Sequence, residues 1–126
     1  MPQTELLVYQ DESRRVPLEL WLNDLERTEP KAYVACLVRI QQLEQSGYEL
    51  RRPAADFLRD GIYELRAKRG RVHYRILYFF HGKNVACMTH GFTKEGAVPD
   101  TEIARAMHAK ELVESNRDRY TMVWEL

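Results

Sequence analysis

Residues 61–94 read GIYELRAKRGRVHYRILYFFHGKNVACMTHGFTK. Runs rich in Tyr, Ile, Val and Phe, broken by Gly and Asn, are strand signals. Three strands are expected here, Ile62 to Arg69, Arg71 to Phe80 and Val85 to Phe92. Tight connections at Gly70 and at His81-Gly82-Lys83-Asn84 make them an antiparallel meander. Successive side chains of a strand point to opposite faces. Ile62, Glu64, Arg66 and Lys68 therefore share one face of the first strand, and Arg71, His73 and Arg75 share one face of the second. Tyr63, Leu65 and Ala67, with Val72, Tyr74, Ile76, Tyr78 and Phe80, form the apolar side. An antiparallel sheet tolerates one wet face. The charged face is either solvated surface or a cradle for an anionic substrate.

The flanks supply the other layer. Glu5 to Gln10 is a nearly continuous apolar run, which suits a strand covered on both faces. Leu18, Trp21, Leu22 and Leu25 recur at helical spacing from about Pro17 to Arg27. Pro17 is tolerated in a first turn, where its missing N–H has no partner to lose. Pro30 restarts a helix that runs to about Ser46, with Tyr33, Leu37, Ile40 and Leu43 expected inward. The two helices should pack on the sheet as an αα-hairpin. Tyr48 to Asp60 reads as a connector whose arginines either reach phosphate or are solvated. A last helix is expected from about Pro99 to Glu114, with Asp100 and Glu102 favoured in its first turn by the macrodipole. The order is β-α-α-β-β-β-α, an α+β domain with helices on one face of a largely antiparallel sheet. The domain is expected to occupy residues 1–116, and 117–126 to form a tail that is either an edge strand or an arm for a partner.

A chain of 126 residues suits one core. With 44% hydrophobic and 30% charged residues it is of globular rather than disordered composition. No apolar run approaches the roughly 18 residues a membrane span needs, and MPQTELLVYQDESRR lacks the order of a secretion signal. The cytoplasm is the expected compartment, with no membrane partner. The formal net charge is zero, but its layout is uneven. Residues 1–50 carry 5 basic and 9 acidic side chains (−4), residues 51–94 carry 10 and 3 (+7), and residues 95–126 carry 4 and 7 (−3). A basic sheet between acidic flanks suits nucleic acid or phosphate. Cys36 and Cys87 lack CxxC spacing and read as buried small hydrophobes.

Four motifs in order carry a resemblance. Ile62-Tyr63-Glu64-Leu65-Arg66, Tyr74-Arg75-Ile76-Leu77-Tyr78-Phe79-Phe80, His90-Gly91-Phe92-Thr93-Lys94 and Pro99-x-x-Glu102-Ile103-x-x-Ala106 resemble the HigB-like, phage-derived branch of the RelE/ParE toxin superfamily. The likeness runs from the first strand through the last long helix and is strongest over residues 61–106. It implies a RelE-like fold and the toxin of a type II toxin–antitoxin pair. It further implies a ribosome-dependent messenger RNA endonuclease held inactive by a helix-turn-helix antitoxin, with DNA association only through that antitoxin. The family often has two basic residues after the Gly-Phe step; here the second place is Glu95, a departure from the pattern that bears on one of the phosphate contacts the resemblance implies. The tail lies outside the resemblance.

RNA cleavage without a metal requires deprotonation of the 2′-hydroxyl, stabilisation of a pentavalent phosphate and protonation of the 5′-oxygen. The sequence offers no metal-ligand cluster, and no cofactor is expected. Arg66 and Arg75, whose planar guanidinium groups suit bidentate phosphate contact, are the expected transition-state stabilisers. Glu64 is either the base or the group that orients them; flanking guanidinium groups would lower its pKa, which favours orientation. His90 and His73 are the alternatives for proton transfer, with His90 preferred for its place near Lys94. Lys94 contacts phosphate or protonates the leaving group. Lys68, Arg69, Arg71, His73 and Phe92 are the expected RNA-binding rim, although Phe92 at a strand position is also a core residue. Substitution of Arg75 by Ala is expected to abolish toxicity and leave the fold intact. Two other functions fit the same fold: a ParE-like, non-enzymatic gyrase inhibitor, and a non-toxic phage-derived interaction protein. For the antitoxin, the sequence favours docking on the helices, with Trp21 or Tyr33 as aromatic anchor.

Overall fold

The computed structural model describes residues 3–125; Met1, Pro2 and Leu126, at the ends of the expected domain and tail, lie outside the described residues. The elements are β1 (Glu5–Tyr9), α1 (Pro17–Thr28), α2 (Pro30–Ser46), a 3₁₀ turn (Gly47–Glu49), β2 (Ala55–Arg59), β3 (Ile62–Arg69), β4 (Val72–Phe80), β5 (Val85–Lys94), α3 (Asp100–Ser115), α4 (Arg117–Tyr120) and β6 (Thr121–Val123). One six-stranded sheet has the order β2-β3-β4-β5-β1-β6. Every pairing is antiparallel except β1 with β5. The fold is therefore α+β and RelE-like in element order, with a mixed sheet. No helix among the described residues is long and apolar enough to cross a membrane.

The sheet is covered on both faces. The α1–α2 hairpin packs over Leu6, Val8, Leu65, Ile76, Tyr78 and Met88. Leu7, Ile62, Leu77, Phe79 and Cys87 form the opposite core with Ile103, Ala106 and Val113 of α3. The expectation of helices on one face is corrected: α3 lies on the charged side, because its small residues can settle onto the apolar part of that side. β1 has Leu6 and Val8 in one core and Leu7 in the other, as its continuous apolar run implies. In α2 the buried stripe is Ala32, Cys36, Ile40 and Leu43. Tyr33 and Leu37 flank it, because the small Ala32 and Cys36 allow the closer approach. Both cysteines are buried free thiols, and burial pushes each up to about 12.

Two elements differ from the sequence reading. The connector contains β2, which pairs with β3. Arg59 lies opposite Ile62, and the intervening Asp60 and Gly61 both have positive φ, 53° and 80°. That is the backbone of a type I′ hairpin, for which Asp-Gly is a strong signal. At the other end α4 turns the chain back, and β6 pairs antiparallel with β1 as an edge strand. Gln10 N donates to Tyr120 O at 2.9 Å and Trp124 N to Leu6 O at 3.0 Å, bracketing that pairing.

A bulge in β5 sets the site. Leu77 pairs with His90, but Tyr78 pairs with Met88, leaving Thr89 as the extra residue. An inserted residue reverses the alternation beyond it. Cys87 faces α3 before the bulge; His90, Phe92 and Lys94 take that face after it, and Gly91 turns to the hairpin. A Cβ on Gly91 would lie 2.2 Å from the Trp21 ring. Trp21 thus seats against the bare backbone of β5 as a half-buried wedge, which removes it as an exposed anchor for a partner.

Candidate active site

The register of β3, β4 and β5 ranks their α3-side residues in rows. Glu64, Leu77 and His90 form the first row, Arg66, Arg75 and Phe92 the second, and Lys68, His73 and Lys94 the third. Exposure rises along the rows because α3 covers only the first end. Glu64 and His90 are each 2% exposed, Arg75 5% and Phe92 9%. Arg66 and His73 are half-buried, and Lys68 and Lys94 are exposed. Arg69 and Arg71 are exposed beside the β3–β4 turn. Of the two readings of the charged face, solvated surface fits only its outer half, which is open; the inner half is buried.

Glu64 is the buried anchor of the cluster. Arg75 Nη1 donates to both its carboxylate oxygens at 3.0 Å, and Arg66 Nε lies 3.7 Å from Oε1. Arg75 Nη2 donates to Gly96 O at 2.5 Å, which ties the loop after β5 to the site. Burial pushes the Glu64 carboxyl above its ordinary value, and Arg75 and Arg66 pull it back only in part. The expected lowering is therefore corrected, because desolvation outweighs the two cations. The geometry still gives Glu64 the orienting place: it underlies both guanidinium groups and is walled from solvent.

His90 is closed off. Nε2 lies 3.2 Å from Glu102 Oε1 and Nδ1 3.0 Å from Thr89 Oγ1, so both ring nitrogens are engaged. Burial holds the imidazole down to about 3, with Arg105 adding to it. Its place is to fasten β5 to α3, and the preference for His90 as proton carrier is not supported by this burial. A stability consequence follows. Between about 3 and the ordinary 6.5 the unfolded chain binds a proton that folded His90 does not. The contribution is present above 6.5 and is lost as pH falls toward 3. Denaturant unfolding across that range should show declining stability, and His90→Gln should flatten the decline. Equal slopes in both proteins would remove His90 as its cause.

His73 is in the opposite situation. It pairs in register with Lys68 on one side and Lys94 on the other. Desolvation lowers its pKa, and Arg75, Arg66 and Lys68 add to the effect. Its Nδ1 and the Nε of Arg75 are the buried side-chain atoms without a hydrogen-bond partner among the described residues. Two unpartnered nitrogens two residues apart on one strand face are an unusual pair, since buried polar groups are normally satisfied.

Phe92 packs at 5.9 Å from the His90 ring and belongs to the α3 core, so its place is the floor rather than a stacking platform. Tyr74 is buried on the other side of the sheet. Glu95, in the position where resemblance leads one to expect a second basic residue, is exposed just beyond β5. Sequence reasoning missed the Gly96 carbonyl, for which no side-chain signal exists. It also missed Glu102 as the partner of His90, although the Pro99-x-x-Glu102 motif contained it.

The model of the family described as phage derived protein Gp49-like (DUF891) matches residues 22–111, from α1 through most of α3 and across every row of the cluster. No curated protein matches the chain.

Proposed function

The chain belongs to the Gp49-like family of phage-derived proteins, and from that premise we propose that it is the toxin of a type II toxin–antitoxin pair, a HigB-like endoribonuclease acting on ribosome-bound messenger RNA. The observation that carries the reading is the third row with its neighbour: His73 set in register between Lys68 and Lys94, its pKa lowered by desolvation and by Arg75, Arg66 and Lys68, beside the unpartnered Nε of Arg75.

The chemistry follows from the rows. A scissile phosphate lies over Arg66 and Arg75, whose N–H groups meet the charge that builds on the equatorial oxygens. Glu64, buried beneath, holds Arg75 in place. His73 accepts the 2′-hydroxyl proton as the O2′–P bond forms. The P–O5′ bond breaks, and the leaving oxygen takes a proton from Lys94 or a water it orients. The products are a 2′,3′-cyclic phosphate and a 5′-hydroxyl. Lys68, Arg69 and Arg71 draw the neighbouring phosphates onto the open end.

The antitoxin is proposed to dock on the hairpin side. Leu20, Val34 and Val38 on the helices and Met122 on β6 are exposed there, an apolar surface on the face away from the basic rows. A protein held there would block ribosome entry by bulk.

The test adds the purified chain to a translation reaction. Cleavage of messenger RNA only with ribosomes present, weakening steeply with added salt as phosphate contacts require, supports the reading. Intact messenger RNA together with DNA damage in cells would favour the gyrase-directed alternative. Neither effect, with growth unaffected, would favour a non-toxic interaction protein.

A further inference from the structure

Two exposed aromatic rings stand apart from the hairpin surface. Tyr48 is 62% exposed and Phe57 53%. They flank a groove of about 610 Å³ at the β2 edge, which Arg51, Arg52 and Tyr63 also line. Phe57 meets Tyr63 edge-on at 5.1 Å, Tyr63 meets Phe80 at 5.2 Å, and Phe80 meets Tyr48 at 6.4 Å, each pair near perpendicular. Tyr48 and Phe57 thus each have a single edge-to-face neighbour, which leaves a flat face of each ring open.

The arginines complete the groove. Arg52 is neutralised by Asp56 at 2.8 Å. Arg51 has no carboxylate within ion-pair distance among the described residues, and its Nη1 donates to Tyr48 O at 2.6 Å. A guanidinium has five N–H donors. Pinning one nitrogen on a backbone carbonyl orients the group without cancelling its charge, so its remaining donors can take a phosphate. The groove adjoins the cluster across the β2 edge, where Asp56 lines it. Asp56 pairs in register with Glu64, so Arg52 rounds the β2 edge beside the first row.

We propose that this groove binds an unpaired nucleobase and its phosphate, one of the nucleotides that flank the scissile bond of single-stranded RNA. The proposal rests on the endoribonuclease reading and extends its substrate site around the edge of the sheet. The rings stack on the base, Arg51 takes the phosphate, and the strand passes over β2 toward Arg66. Stacking accepts any base and demands a single strand, because a duplex keeps its bases covered.

The experiment titrates the full chain with a short oligoadenylate and with a duplex of the same length, across a salt series. Tyr48→Ala and Phe57→Leu, both at exposed positions, should each weaken oligoadenylate binding about tenfold and leave the salt slope unchanged. Arg51→Ala should weaken binding and flatten the slope by about one phosphate contact. Duplex binding should be insensitive to the ring substitutions. Circular dichroism checks that each variant is folded. Wild-type affinity in both ring variants, with binding lost in Lys68→Ala or Lys94→Ala, overturns the groove and leaves the endoribonuclease reading standing. A wild-type chain that binds no RNA, free or on the ribosome, overturns both. Equal sensitivity of duplex and single strand to the ring substitutions would mean the rings do not stack on bases, and would also overturn the groove.

Discussion

His73→Gln is expected to lower messenger RNA cleavage about 10²–10⁴-fold while the protein stays folded. The magnitude is that of losing a positioned general base. Position and charge state both favour His73. It is half-buried in the open row, opposite Lys68 and Lys94. Desolvation and three cations lower its pKa below the ordinary 6.5, so it is uncharged at neutral pH. The sign of the pH dependence follows. Cleavage should be independent of pH around neutrality and fall on acidification, with the midpoint below 6.5, as the imidazole takes up a proton and can no longer accept one. Gln keeps a polar side chain at the position, so a loss of rate with an unchanged circular dichroism spectrum reports chemistry. A His73→Gln protein that cleaves at the wild-type rate, or keeps the same acid limb, would remove His73 as the base. His90→Gln provides the contrast: its expected effect is on stability, because its ring lies under α3.

The meander was legible because alternation is a local property. The boundaries of β3 and the starts of α1 and α2 follow from Ile62–Arg69, Pro17 and Pro30 and were met closely. The shared face of Glu64, Arg66 and Arg75 was legible for the same reason. Alternation says which face a side chain takes; it is silent on how much of that face another element covers. The docking of α3 is a tertiary event, and it separates a closed His90 from a half-buried His73 although both take the same face of neighbouring strands. It also decides the sign at Glu64, where desolvation depends on the covering layer and outweighs the neighbouring cations that the sequence did display. The bulge at Thr89 is a second blind spot. A strict period of two through β5 would aim His90 and Phe92 at the hairpin and Gly91 at α3. β2 was missed for a different reason: Ala-Asp-Phe-Leu-Arg alternates weakly, although the Asp60-Gly61 turn beside it is a strong hairpin signal.

Arg75→Ala should destabilise the fold by about 3–5 kcal/mol, the range for removing one partner of a buried ion pair. This replaces the expectation of an intact fold. Arg75 and Glu64 are 5% and 2% exposed and joined by two contacts of 3.0 Å. Removing the guanidinium leaves the carboxyl buried, pushed further toward its protonated form, and it also frees the Gly96 loop. Glu64→Ala should be of similar cost, for it strands the cation. The joint replacement Glu64→Leu with Arg75→Met should recover most of the loss, because an apolar pair of similar volume suffers no desolvation. A double-mutant cycle by urea unfolding reads this directly: coupling below about 1 kcal/mol would place the pair among ordinary surface bridges. The consequence for function is that lost toxicity in Arg75→Ala is ambiguous, since a misfolded toxin is also harmless. Arg66 is the cleaner probe. It is half-buried, and its distance to Glu64 is 3.7 Å, so truncation leaves the Glu64–Arg75 pair intact. If Arg66→Ala is folded and inactive, and the double variant carrying Glu64→Leu and Arg75→Met is folded and inactive too, the guanidinium groups act on RNA. If that double variant cleaves RNA like the wild type, the buried pair is a device of stability alone.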